Sequence, residues 1–126
     1  MVITRAHGRF QVLGVEPERR ALVHVETIGR NAIFIGHQRC LVIDAAKFPS
    51  VEANCLYYTV KTGPFVCIWK HNIGDGTYVK VFKDFDFVKQ SKQFVLIAAR
   101  PFTIIQVLCS YTINLRGSEL VWYQTT

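Results

Sequence analysis

The dominant pattern along the chain is short apolar runs separated by clusters of turn-forming residues. Phe10–Val15 is the first run, closed by the polar "EPERR" with Pro17. Ala21–Ile28 follows and stops at Gly29. Successive strand side chains point to opposite faces, so Val23, Val25 and Thr27 share one face and Leu22, His24 and Glu26 the other. "RNAIFIGHQRCLVID" then sets two apolar runs, Ala32–Ile35 and Cys40–Ile43, around a polar centre. A four-residue connection is ordinary for a hairpin, and Gly36 is expected to supply backbone freedom at the reversal.

"DAAKFPSVEAN" reads as a loop with room for one helical turn. Cys55–Val60 is the next strand, broken by "KTGP", and Phe65–Ile73 follows. The "GDG" of Gly74–Gly76 between apolar runs is a strong hairpin signal, with Thr77–Phe82 as the partner strand. Beyond Phe82 the pattern is less specific. Lys89–Ala99 fits helix or strand, since short apolar runs do not distinguish the two. Phe102–Leu115 and Glu119–Tyr123 read as strands around an Arg116-Gly117 turn. Many short strands at spacings of roughly 8–12 residues predict an all-β sandwich, barrel or propeller.

A chain of 126 residues, half of them hydrophobic and 19% charged, can bury a core as one domain or a piece of one. The net charge of +6 favours acidic partners. Its lysines and arginines are scattered, and Asp84 and Asp86 interrupt the densest stretch of Lys80, Lys83, Lys89 and Lys92. A solvated basic surface accounts for that spread better than a nucleic-acid footprint does. "MVITRAHGRF" has no apolar secretory core, and Cys40, Cys55, Cys67 and Cys109 form no CxxC pair. The expectation is reduced thiols in an intracellular protein, cytoplasmic or nuclear. "FVLIAARPFTIIQVLCSYTI" has the length of a membrane span, but Arg100 and Pro101 inside it argue for two elements broken at that point.

Several residues invite chemistry. His37 with Cys40, and Cys67 with His71, supply ligand types suited to zinc. Cys40, His37 and Asp44 could on paper form a nucleophile, base and orienting acid. In each case core packing or an exposed turn is the simpler reading, as a thiol in a buried strand is inert. His24 reads as a half-exposed strand histidine and Phe48-Pro49 as a packing anchor. Tyr57 and Tyr58 face opposite ways, so at most one reaches a surface. Trp69 reads as core, with an interface anchor as the alternative. "GDG" lacks the glycine spacing and the lysine of a phosphate loop. The expectation is therefore no catalytic residue, no cofactor and no metal ligand.

Three ordered motifs carry a resemblance. "VETIGRNAIFIG" matches a strand-and-turn pattern at Val25, Gly29, Ala32, Phe34 and Gly36. "CLVIDAAKFPSVEANCLYYT" matches at Cys40, Phe48, Pro49, Asn54, Tyr57 and Thr59, and "FVCIWKHNIGDG" resembles the strand that follows. Over about residues 10–82 the chain thus resembles the plant F-box-associated β-propeller family, some of whose members inhibit protein kinases. It departs from the family at Leu22, usually Trp, at Arg30, usually Asp, and at Val60 and Lys61, usually an acidic pair. The resemblance implies antiparallel blades of a partial or truncated propeller over residues 1–82. Residues 83–126, unmatched, are expected to add further strands, with a short helix as the alternative for part of them. It also implies a non-enzymatic module that binds another protein, here without an F-box segment of its own. Open blade edges make self-association a second expectation. The alternatives are a basic nucleic-acid-binding β domain and a degenerate fragment without independent function.

Overall fold

The computed structural model describes residues 1–97 and 103–114 and the backbone of 122–123. Its first sheet is an antiparallel meander of β1 (Val2–Ala6), β2 (Arg9–Glu16) and β3 (Ala21–His24). β1 is a strand that the apolar pattern does not reveal. It exists because His7 and Gly8 both take positive φ, 52° and 74°, the geometry that closes a two-residue hairpin loop.

The main sheet contains β4 (Asn31–Ile35), β5 (Cys40–Asp44), β6 (Cys55–Thr62), β7 (Phe65–Asn72), β8 (Tyr78–Lys80), β9 (Phe87–Gln90), β10 (Gln93–Ile97) and β11 (Trp122–Tyr123). Its order is β11-β10-β9-β7-β6-β4-β5, with β8 pairing the second half of β7. Within it β6, β7, β9 and β10 form the four-stranded antiparallel meander expected of a blade. Two joins are parallel, β4 beside β6 and β10 beside β11, where antiparallel pairing was expected throughout. A parallel pair needs a long crossover. The loop from Ala45 to Asn54 supplies the first, starting with a 3-10 turn at Ala45–Lys47 whose Ala46 N–H donates to Asp44 Oδ1 at 3.0 Å.

The main sheet is covered on both faces, which is why Ala32, Ile33 and Phe34 are all buried instead of alternating. On one face Ile33 and Leu56 pack with Val12 of the meander. On the other, Phe34, Tyr57, Ile68, Phe87 and Leu96 pack against Ile105, Cys109 and Ile113 of a helix, α1 (Ile104–Ile113). The three layers are therefore meander, sheet and helix.

α1 corrects the strand expected over Phe102–Leu115. Thr103 and Gln106 start it with a capping box: Gln106 N–H donates to Thr103 Oγ1 at 3.2 Å and Thr103 N–H to Gln106 Oε1 at 3.0 Å. Gln106 Nε2 also donates to the buried Asp86 Oδ1 at 2.9 Å, while Asp86 Oδ2 accepts from Ile68 N–H at 3.1 Å. At the far end Asn114 binds both backbone groups of Phe94, accepting at 2.7 Å and donating at 3.0 Å. The helix is thus bonded to the sheet at each end. Among the described residues no helix is long and apolar enough to cross a membrane. The expected break at Arg100-Pro101 and the Arg116-Gly117 turn lie outside the described residues.

Gly36 is needed for a different reason from the one its position suggests. Its φ is not in the left-handed region. A Cβ there would lie 2.1 Å from the Thr112 carbonyl oxygen, which also accepts from Gln38 and Arg39 N–H at 3.1 and 3.2 Å. Close approach of hairpin and helix, not backbone freedom, requires the glycine.

Candidate functional site

The parallel join between β4 and β6 covers only Ala32–Phe34 against Cys55–Tyr57. β4 then ends at Ile35, while β6 continues to Thr62 paired with β7. Among the described residues, Tyr58–Lys61 therefore has no strand on its second edge. A cleft of about 530 Å³ opens beside it. That size falls within the range of natural ligand pockets.

All three layers contribute to the cleft. Ile3, Phe10 and Tyr58 line it where the meander meets the sheet, and Ile35, Val60, Val66 and Phe94 line it from the main sheet. Gly36 and Ile113 line it where the hairpin touches the end of α1. Its basic lining residues are Arg5, His37 and Lys61, with no aspartate or glutamate among the described residues. The Arg5 guanidinium stands 5.0 Å from the Phe10 ring centre and 5.2 Å from that of Tyr58. The Phe94 ring has Lys61 Nζ at 5.2 Å, Lys89 Nζ at 6.0 Å and the His37 ring edge-on at 5.8 Å. Among the described residues none of Arg5, Lys61 and Lys89 has a carboxylate ion-pair partner. Burial raises the Tyr58 hydroxyl pKa, against the lowering effect of Arg5, so the hydroxyl is a neutral donor at ordinary pH.

His37 and Cys40 both line this cleft, and Cys40 is exposed. Cys67 is buried, and His71 is stacked on Tyr78 with ring centres 4.1 Å apart and its Nδ1 3.2 Å from Thr77 O. Among the described residues no group of three or more histidines, cysteines or acids could hold a metal. Asp44 is engaged elsewhere, with Arg30 at 3.2 Å and the 3-10 turn. It is four strand residues from Cys40, roughly 13 Å along the strand, and so does not complete a Cys–His–Asp set. Burial pushes the Cys55 thiol up to about 12 and raises that of Cys109 as well. Neither is a ready nucleophile.

The remaining residues have structural work. Asn72 Oδ1 accepts from the Gly74 and Asp75 N–H groups at 2.9 and 3.2 Å, and Asp75 accepts from Thr77, which lowers its carboxyl pKa. "GDG" is therefore a side-chain-braced turn. Asn54 takes φ of 60° and accepts from Ile28 N–H at 2.9 Å, tying the loop before β4 to the start of β6. Phe48 packs against the main core. Tyr57 is buried against Phe34, with ring centres 4.6 Å apart, while Tyr58 faces the cleft. Trp69, paired with Tyr58, is half-buried, and His24 is exposed.

Sequence reasoning did not find Ile3, Arg5, Phe10, Phe94 or Ile113 as neighbours, because they come from distant elements. One signal was present. Val60 and Lys61, which stand where an acidic pair was expected, both line the cleft.

A family model, the KIB1-4 β-propeller, matches residues 2–95. The matched stretch runs from β1 into β10 and beyond the Phe82 limit of the motif resemblance. No curated protein and no solved structure matches the chain.

Proposed function

The chain belongs to the KIB1-4 β-propeller family, and from that premise we propose that it is a non-enzymatic protein-interaction module that docks a partner protein at the cleft. The reading parallels the substrate-recruiting propellers of plant F-box proteins. The observation that carries it is the cleft's make-up: apolar walls from three layers and a rim of Arg5, His37 and Lys61 with no carboxylate among the described residues. Apolar surface supplies non-directional attraction, and the Arg5 and Lys61 cations select for charge and speed encounter.

The test is capture from plant extract, after nuclease treatment, by the full chain and by its Arg5→Glu, Lys61→Glu double variant. A protein retained by the first and lost from the second is the expected result. The same retained set from both would contradict docking at this cleft. Retention that disappears on nuclease treatment would favour a nucleic-acid partner.

A further inference from the structure

We infer that the cleft recognises a short acidic segment of its partner, with one aromatic or branched apolar side chain seated between flanking carboxylates. This deepens the docking reading and rests on it. Three observations converge. The walls are apolar and include the rings of Phe10, Tyr58 and Phe94. A planar or branched side chain buries well against them, and aromatic rings pair at centroid separations of about 4.5–7 Å. The cations stand around these same rings, Arg5 over Phe10 and Tyr58, Lys61 and Lys89 over Phe94. An apolar group that reaches the rings therefore carries its flanking residues into a field of positive charge. Finally, Tyr58–Lys61 runs along the cleft with no strand on one edge among the described residues. An extended segment can align with such an edge by main-chain hydrogen bonds, leaving specificity to side-chain pockets.

Charge complementarity fixes the sign. The chain carries a net +6, and among the described residues the cleft lining has no acid. A basic segment would be repelled, and a neutral one would leave the rim charges unpaired. The exposed Cys40 thiol lines the same cleft, whereas Cys55, Cys67 and Cys109 are buried. Alkylation of Cys40 therefore reports occupancy at the site itself.

The probe is a fluorescein-labelled peptide, Gly-Glu-Glu-Phe-Glu-Glu-Gly, titrated against the full chain at low salt and read by anisotropy. Versions with Gln for Glu, with Ala for Phe, and with Lys for Glu are compared. The acidic peptide is expected to bind and to slow iodoacetamide alkylation of Cys40. The Gln and Ala versions are expected to bind roughly tenfold more weakly. Lys61→Glu is expected to weaken the acidic peptide and to favour the Lys version. Thermal unfolding of that variant separates lost binding from lost folding. Equal binding of the Gln version, or binding that leaves Cys40 alkylation unchanged, would overturn the inference. Failure of all four peptides would overturn it too. If the extract capture still lost a protein on charge reversal, docking at the cleft would stand and only the acidic-segment chemistry would fall.

Discussion

At Gly36 the packing leaves no room for even a methyl group. The two nearest atoms an added Cβ would meet are backbone, the Thr112 carbonyl oxygen and carbon at 2.1 and 2.4 Å, and backbone cannot rotate aside. Gly36→Ala is expected to cost about 2–4 kcal/mol in urea unfolding, the range for overpacking at a tight contact. Gly63→Ala is the control: it has open space but φ of 59°, and strain there costs about 1–2 kcal/mol. Titration gives a second expectation. Cys55 sits at about 12 against an ordinary 9.0 because burial disfavours the thiolate. A folded pKa above the unfolded one means the contribution is complete below pH 9 and is lost as pH rises towards 12, at up to about 1.4 kcal/mol per pH unit. Tyr57 and Tyr58, raised by burial, and Lys70, raised by its hydrogen bond to Glu52, change in the same direction above their ordinary values. The urea midpoint should therefore fall steadily from pH 8.5 to 11. Cys55→Ala should flatten the first part of that fall, and an unchanged midpoint would contradict the burial argument.

At the scale of elements, the sequence shows what is local. The β7–β8 turn is legible because Asn72, Asp75 and Gly76 act on their own neighbours, and the β4–β5 hairpin because its two apolar runs are joined by a short four-residue connection. The parallel join of β4 to β6 is not, because its partners lie on either side of a crossover. α1 was hidden because Ile104–Ile113 is apolar almost all round, and such a run has no period to read. Its one legible mark is Thr103 with Gln106, the spacing of a capping box. The helix's attachment is testable at Asn114, which satisfies both backbone groups of the buried Phe94. Asn114→Ala leaves them unpaired, at an expected cost of about 2–4 kcal/mol by urea unfolding. A loss under about 0.5 kcal/mol would mean that the helix end is not held as described.

At the scale of the molecule, closure and site are one construction. Blades left open would expose an apolar flank; here α1 covers that flank, and its last residue, Ile113, lines the cleft. The cleft was illegible as a unit because its walls run from Ile3 to Ile113. Its chemistry was partly legible in Lys61, a basic residue where the family pattern is acidic. Rim cations with no carboxylate partner among the described residues contribute little to folding, so Arg5→Glu with Lys61→Glu should change stability by less than about 1 kcal/mol. A larger loss in thermal or urea unfolding would give these side chains a structural role. The most direct test of the account is hydrogen exchange of the full chain, read peptide by peptide by mass spectrometry. The amides of Val107–Asn114 should be protected to a degree comparable with those of Ala32–Ile35 and Leu56–Thr59, and Asn114→Ala should speed their exchange. Rapid exchange throughout Val107–Asn114 while the strands stay protected would show that the helix does not close this core, and the cleft built on its end would fall with it.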